Sequence, residues 1–131
     1  MIKVNELRVG NIINRGDYIS RVIQISAIGA ISELHIISKP LNYEGERFVE
    51  LIAEPVPLTE EWLLKFGFKD NDGELTLLID NLLYIGWVDD YAQLITEEGF
   101  TCGQNINHVH QLQNLYFALT NEELTIKEYA N

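Results

Sequence analysis

Apolar and polar residues alternate along the first third of the chain. Within Tyr18 to Ile25, the residues Ile19, Arg21, Ile23 and Ile25 share one parity; further on, Ile31, Glu33, His35 and Ile37 alternate with Ser32, Leu34 and Ile36. A period of two in β-branched residues predicts strands. Leu7 to Ile13 is a shorter apolar segment broken by Gly10-Asn11, and Glu46 to Ile52, centred on Phe48 and Val49, is a fourth candidate. Asn14-Arg15-Gly16-Asp17 and Ala27-Ile28-Gly29-Ala30 have the composition of turns. Lys39-Pro40 closes the third strand, because proline cannot donate to a central ladder. Strands so spaced predict a small curled antiparallel sheet, of which an SH3-like barrel is the closed form.

The pattern changes at Ala53-Glu54-Pro55-Val56-Pro57, the one proline cluster. In Leu58 to Phe68, Thr59 is a natural N-cap, and Glu60 and Glu61 sit where a helix N-terminus favours anions. Leu58 and Leu63 occupy the two positions of a hydrophobic staple. Gly67 takes the left-handed closing position, and Phe68 packs back as a Schellman motif expects. The expected helix runs from Glu60 to near Phe66. Such a helix is too short to stand alone, so Trp62, Leu63 and Phe66 need packing partners.

A meander of about four strands follows. Asn71-Asp72-Gly73 is a hairpin signal, leading into Glu74 to Ile79. Asp80-Asn81, Asp89-Asp90 and Glu97-Glu98-Gly99 separate Leu82 to Val88, Tyr91 to Thr96 and Phe100-Thr101-Cys102. The last element is helical: Val109, Leu112, Leu115, Tyr116 and Leu119 form one apolar stripe. Asn107 is its expected N-cap and Asn121 its left-handed close. Thr120-Asn121-Glu122-Glu123 fits a capping box for a further turn, and Leu124-Thr125-Ile126 a short strand. The expected fold is α+β. A curled antiparallel β-sheet covers residues 1–54. An antiparallel meander packed by two short helices covers 55–131. Halves this small are expected to share one core.

Charge narrows the function. The 131 residues carry nine Lys and Arg against twenty Asp and Glu, for a net charge of −11. No basic run exists, which argues against nucleic-acid and anionic membrane partners. The N-terminus lacks a signal pattern, no apolar run is long enough to span a bilayer, and the lone Cys102 rules out an internal disulfide framework. The expected location is the cytoplasm. The acidic pairs Glu60-Glu61, Asp89-Asp90, Glu97-Glu98 and Glu122-Glu123 suit turns and helix ends; aligned in a stripe, they would instead mimic a nucleic-acid backbone.

Candidate chemistry is sparse. His108, His110 and Cys102, with His35, are the only soft-ligand candidates for a metal. A His-x-His pair on a helix diverges by about 200°, which opposes shared ligation. Cys102 beside a histidine is the sole nucleophile pairing, and a packed thiol is the plainer reading. Asp80, Asp89 and Asp90 are read as turn residues before acid–base groups. No phosphate loop, dinucleotide fingerprint, nucleophile elbow or zinc-protease motif occurs, so no cofactor is expected. The candidate interface comprises Tyr84, Trp87 and Tyr91, around the Asp89-Asp90 turn, and the polar Gln111, Gln113 and Asn114 of the last helix.

Glu54 to Phe68, His108 to Thr120 and the opening Leu7-Arg8-Val9-Gly10-Asn11 resemble an uncharacterised family of small proteins encoded by phages, prophages and conjugative elements of anaerobic gut bacteria. The resemblance covers nearly the whole chain and implies an origin on a mobile element. It carries no activity and no catalytic residues. One departure is Asn121, where the family pattern has glycine before Glu-Glu-Leu; asparagine serves the same left-handed position. The reading that follows is a non-enzymatic protein-binding or adaptor protein, acting on a protein partner or by self-association. An acidic DNA mimic and a metal- or thiol-dependent enzyme are its alternatives.

Overall fold

The computed structural model describes residues 1–15, 18–28, 33–41, 48–50 and 53–127. The chain divides into two compact units, Met1–Val56 and Pro57–Asn131.

In the first unit a short 3-10 turn at Val4–Glu6 leads into β1 (Ile12–Asn14), β2 (Ile19–Ile28), β3 (Glu33–Pro40) and β4 (Phe48–Glu50). The strands form one antiparallel sheet in the order β1-β2-β3-β4. Among the described residues no ladder joins β1 to β4, so the sheet is open and not a closed SH3-like barrel. Ile2 donates its N–H to Ala53 at 2.8 Å, and Asn14 donates to Glu54 at 2.9 Å, tying both ends of the unit together. Ile2, Ile13, Val22, Ile36 and Ala53 form the core, with Leu7 and Ile25 packed against it.

The expected shared face of Ile19, Arg21, Ile23 and Ile25 does not hold. Ser20 and Val22 are fully buried while Arg21 is exposed. Val22 pairs with Ser38, but Gln24 pairs with Ile37, leaving Ile23 as an extra residue. A bulge of this kind moves every later side chain to the other face. The inward set is therefore even-numbered before the bulge and includes Ile25 after it. The first strand is also shorter than Leu7 to Ile13, and β2 runs through Ala27-Ile28 where a reversal was expected. Pro40 pairs with Ser20 at the very end of β3. The expected turn residues Gly16-Asp17 and Gly29-Ala30, and parts of the fourth strand, lie outside the described residues.

The second unit opens with α1 (Glu60–Lys65). Thr59 Oγ1 accepts the Trp62 N–H at 3.4 Å. At the other end Gly67, at φ +95°, donates to Leu64 at 3.1 Å, and Phe68 donates to Leu63 at 3.0 Å, the paired bonds of a Schellman motif. Leu58, Leu63, Phe66 and Phe68 are all buried, so staple and closing residues anchor the helix from both sides.

The meander has five strands, one more than expected: β5 (Lys69–Asn71), β6 (Glu74–Leu78), β7 (Leu83–Val88), β8 (Tyr91–Thr96) and β9 (Thr101–Ile106), paired in chain order. Asp72 and Gly73, both at positive φ, make the first hairpin, and Asp70 Oδ1 accepts the Gly73 N–H at 2.8 Å. The last strand outruns Phe100-Thr101-Cys102 because a bulge sits opposite Gln93, between the pairs Ala92↔Ile106 and Leu94↔Cys102. Gln93 Nε2 donates to Asn105 Oδ1 across it at 2.8 Å.

The final helix, α2, spans Val109–Thr120, and its N-cap is His108, not Asn107. Gln111 Oε1 accepts the N–H of both Asn107 and His108, at 3.0 and 3.1 Å, and so caps the residues before the helix itself. Asn121, at φ 60°, closes the helix with a 2.8 Å bond to Phe117. No further helical turn follows. Thr120 Oγ1 instead donates to Tyr116 and accepts from Glu122. Leu124-Thr125-Ile126 is not a strand; Leu124 is buried and Lys127 donates to Lys65 at 2.6 Å.

Candidate interaction surface

The register of the meander sorts the aromatic candidates. Tyr84 pairs with Ile95, Trp87 with Ala92 and Val88 with Tyr91. Side chains alternate between faces along a strand, and directly paired residues share a face. Tyr84 and Tyr91 therefore lie on one side of the sheet and Trp87 on the other, with the fully buried Ile85 and Ala92. The three do not form one cluster. All are half-buried strand residues.

The polar face of α2 is also different from the expected one. Gln113 is 1% exposed and inside the unit, Gln111 is engaged in capping, and Asn114 is half-buried. His108 and His110 do come together: their rings stack at 5.9 Å with 24° between planes. The expected divergence assumed both were helical, whereas His108 is an N-cap with extended backbone. His110 is buried. His35 belongs to the first unit, and Cys102, a half-buried free thiol, pairs with Leu94 on the Trp87 side of the sheet. Among the described residues no three His, Cys, Asp or Glu side chains are grouped to hold a metal. Nor is any described helix long and apolar enough to cross a membrane.

Charge, in contrast, is sorted sharply. The first unit carries six Lys and Arg against seven Asp and Glu; the second carries three against thirteen. Nearly all of the −11 thus belongs to the second unit. Its cations are Lys65, Lys69 and Lys127, and no Lys or Arg occurs from residue 70 to 126. The signal in the sequence is the gap between Lys69 and Lys127, not the pairing of the acids.

The meander distributes these carboxylates to its two ends. Asp70, Asp72, Asp89 and Asp90 flank the β5–β6 and β7–β8 turns at one end; Asp80, Glu97 and Glu98 occupy the β6–β7 and β8–β9 connections at the other. Turns on one end are two strands apart, about 10 Å. Four of these acids have a local reason for their place: Asp70 accepts the Gly73 N–H. Asp72 and Asp89 take left-handed backbone at φ 56° and 57°, which Asp tolerates. Asp80 Oδ1 accepts the N–H of Leu82 and Leu83 at 2.7 and 3.0 Å. The surface is anionic because its turns are built from aspartate and glutamate.

Compared with family models, curated proteins and solved structures, the chain matches none.

Proposed function

We propose that this is a non-enzymatic protein-binding or adaptor protein of a phage or mobile element, whose anionic second unit engages the cationic surface of a partner. The supporting observation is the concentration of charge: thirteen acids against three bases in one small unit, with no cation over residues 70–126. A field of one sign steers an oppositely charged partner and speeds its docking. The mobile-element origin rests on the resemblance of residues 54–68 and 108–120. The test is affinity capture from the source cells at low and high salt, combined with light scattering of the purified chain. A stoichiometric partner that salt releases is the expected result. A strict monomer with no such partner counts against the proposal.

The same charge supports a second reading, a mimic of DNA that occupies the basic groove of a DNA-binding protein. Adding duplex DNA to the captured complex separates the two. Release by duplex favours mimicry, and retention favours an adaptor contact.

A further inference from the structure

Two of the chain's nine Lys and Arg face each other in the first unit. Arg21 of β2 pairs directly with Lys39 of β3. Directly paired residues share a face, with Cβ atoms about 4.5–5.5 Å apart, and like charges so placed destabilise a sheet. Both residues are exposed, on the face opposite to the fully buried Ser20, Val22 and Ser38. Among the described residues neither side chain has an ion-pair or hydrogen-bond partner. The register brings no carboxylate beside them. On one side Ile19 stands opposite Leu41, whose N–H donates to the Ile19 carbonyl at 3.0 Å. On the other, past the bulge, Gln24 pairs with Ile37. Ile19, Ile37 and Leu41 are half-buried.

A chain with twenty Asp and Glu has ample means to neutralise two cations, yet this pair stands uncompensated. Proteins break such local rules at functional sites. We infer that Arg21 and Lys39 form a binding site for a doubly charged phosphate group, either free phosphate or a phosphomonoester. The charges match, since such a group carries about −1.5 to −2 at pH 7 against two cations. A guanidinium offers phosphate oxygens two N–H donors side by side, and an ammonium adds a point charge. One bound dianion turns the cross-strand repulsion into two attractions. The half-buried Ile19, Ile37 and Leu41 flank the pair with apolar surface, which strengthens attraction by limiting water. A carboxylate or a phosphodiester carries a single charge and leaves one cation unmatched. The site belongs to the first unit and goes beyond the partner contact proposed for the second.

The experiment titrates the full chain, isotope-labelled for NMR, at constant ionic strength. The probes are inorganic phosphate, glycerol phosphate, dimethyl phosphate and acetate. The first two are expected to shift the amides of residues 19–22 and 37–41, at concentrations about fivefold lower than the singly charged pair requires. A stronger response to glycerol phosphate assigns the site to a phosphomonoester, and a stronger response to inorganic phosphate assigns it to the free ion. An Arg21→Gln, Lys39→Gln double variant, its folding checked by circular dichroism, is expected to bind about tenfold more weakly or worse. Lys39→Glu gives an independent readout. It replaces the repulsion with an ion pair, so it is expected to raise the melting temperature at low salt and to abolish the phosphate response. Equal response to all four anions, shifts spread over the other Lys and Arg, or unchanged binding by the double variant overturns the site. A Lys39→Glu variant that melts no higher than the parent overturns the uncompensated repulsion from which the site is inferred.

Discussion

The first unit is nearly charge-balanced and closes around a continuous apolar cluster, yet it also buries Asn11, Ser20 and Ser38 completely. The second carries most of the net charge, and its exposed acids sit in the first turn of α1 and in the turns of the meander. Both are built largely from short antiparallel strands. Both admit neutral polar side chains to the interior, Gln113 and His110 in the second unit, but they differ in where charge is placed and in which buried groups lack partners. In the first unit polar side chains enter the core, two of them as hydroxyls with no hydrogen-bond partner. In the second the described carboxylates stay at the periphery, where Asp70, Asp72, Asp80 and Asp89 shape turns and all together set a long-range field. Polarity placed inside is a cost to stability, while polarity placed outside is available to a partner.

The contrast can be broken most forcefully in the second unit's core. Phe66→Ala, at a fully buried ring, is expected to cost about 3–5 kcal/mol in chemical denaturation. A loss below about 1 kcal/mol would show that α1 does not organise its unit. Next comes Gly67→Val. Gly67 has φ +95°, and an added Cβ would stand 3.1 Å from Lys127 Cγ. The expected loss is about 1–2 kcal/mol, and an unchanged melting temperature would contradict the Schellman closure. In the first unit the sign reverses. Ser20→Ala and Ser38→Ala each remove an unpartnered buried hydroxyl, so each is expected to be neutral or to stabilise by up to about 1 kcal/mol. Marked destabilisation by either would show that these hydroxyls have partners. Thr59→Ala removes a cap whose bond is long, 3.4 Å, and exposed, and should cost about 0.5–1 kcal/mol. The smallest effect is electrostatic. Raising salt screens self-repulsion, so hydrogen-exchange protection should rise in residues 57–127 and stay flat in the described part of 1–56. An equal response in both would undo the contrast.

Local chemistry made much of the second unit legible in advance. Thr59, Gly67, Asp72-Gly73 and Asn121 act within a few residues of themselves, so their roles can be read without the fold. Long-range geometry could not be read in that way. The extra residue Ile23 sits in β2 only because Gln24 pairs with Ile37, a neighbour thirteen positions away. Trp87 separates from Tyr84 and Tyr91 because parity decides faces, whatever their shared proximity to the Asp89-Asp90 turn. His108 escaped because a one-residue change of N-cap turns a helical spacing into an extended one.

The Lys127 contact carries one more consequence. Its side chain lies over Gly67, its N–H joins the Lys65 carbonyl, and Lys69 follows two residues after the glycine. All three cations of the second unit therefore collect beside the end of α1, while the meander's turns hold only anions. The charge of the unit is unevenly placed. A cationic visitor is therefore drawn to the turns of the meander and held off the end of α1, so the same three lysines that close the helix also set which part of the unit it meets first.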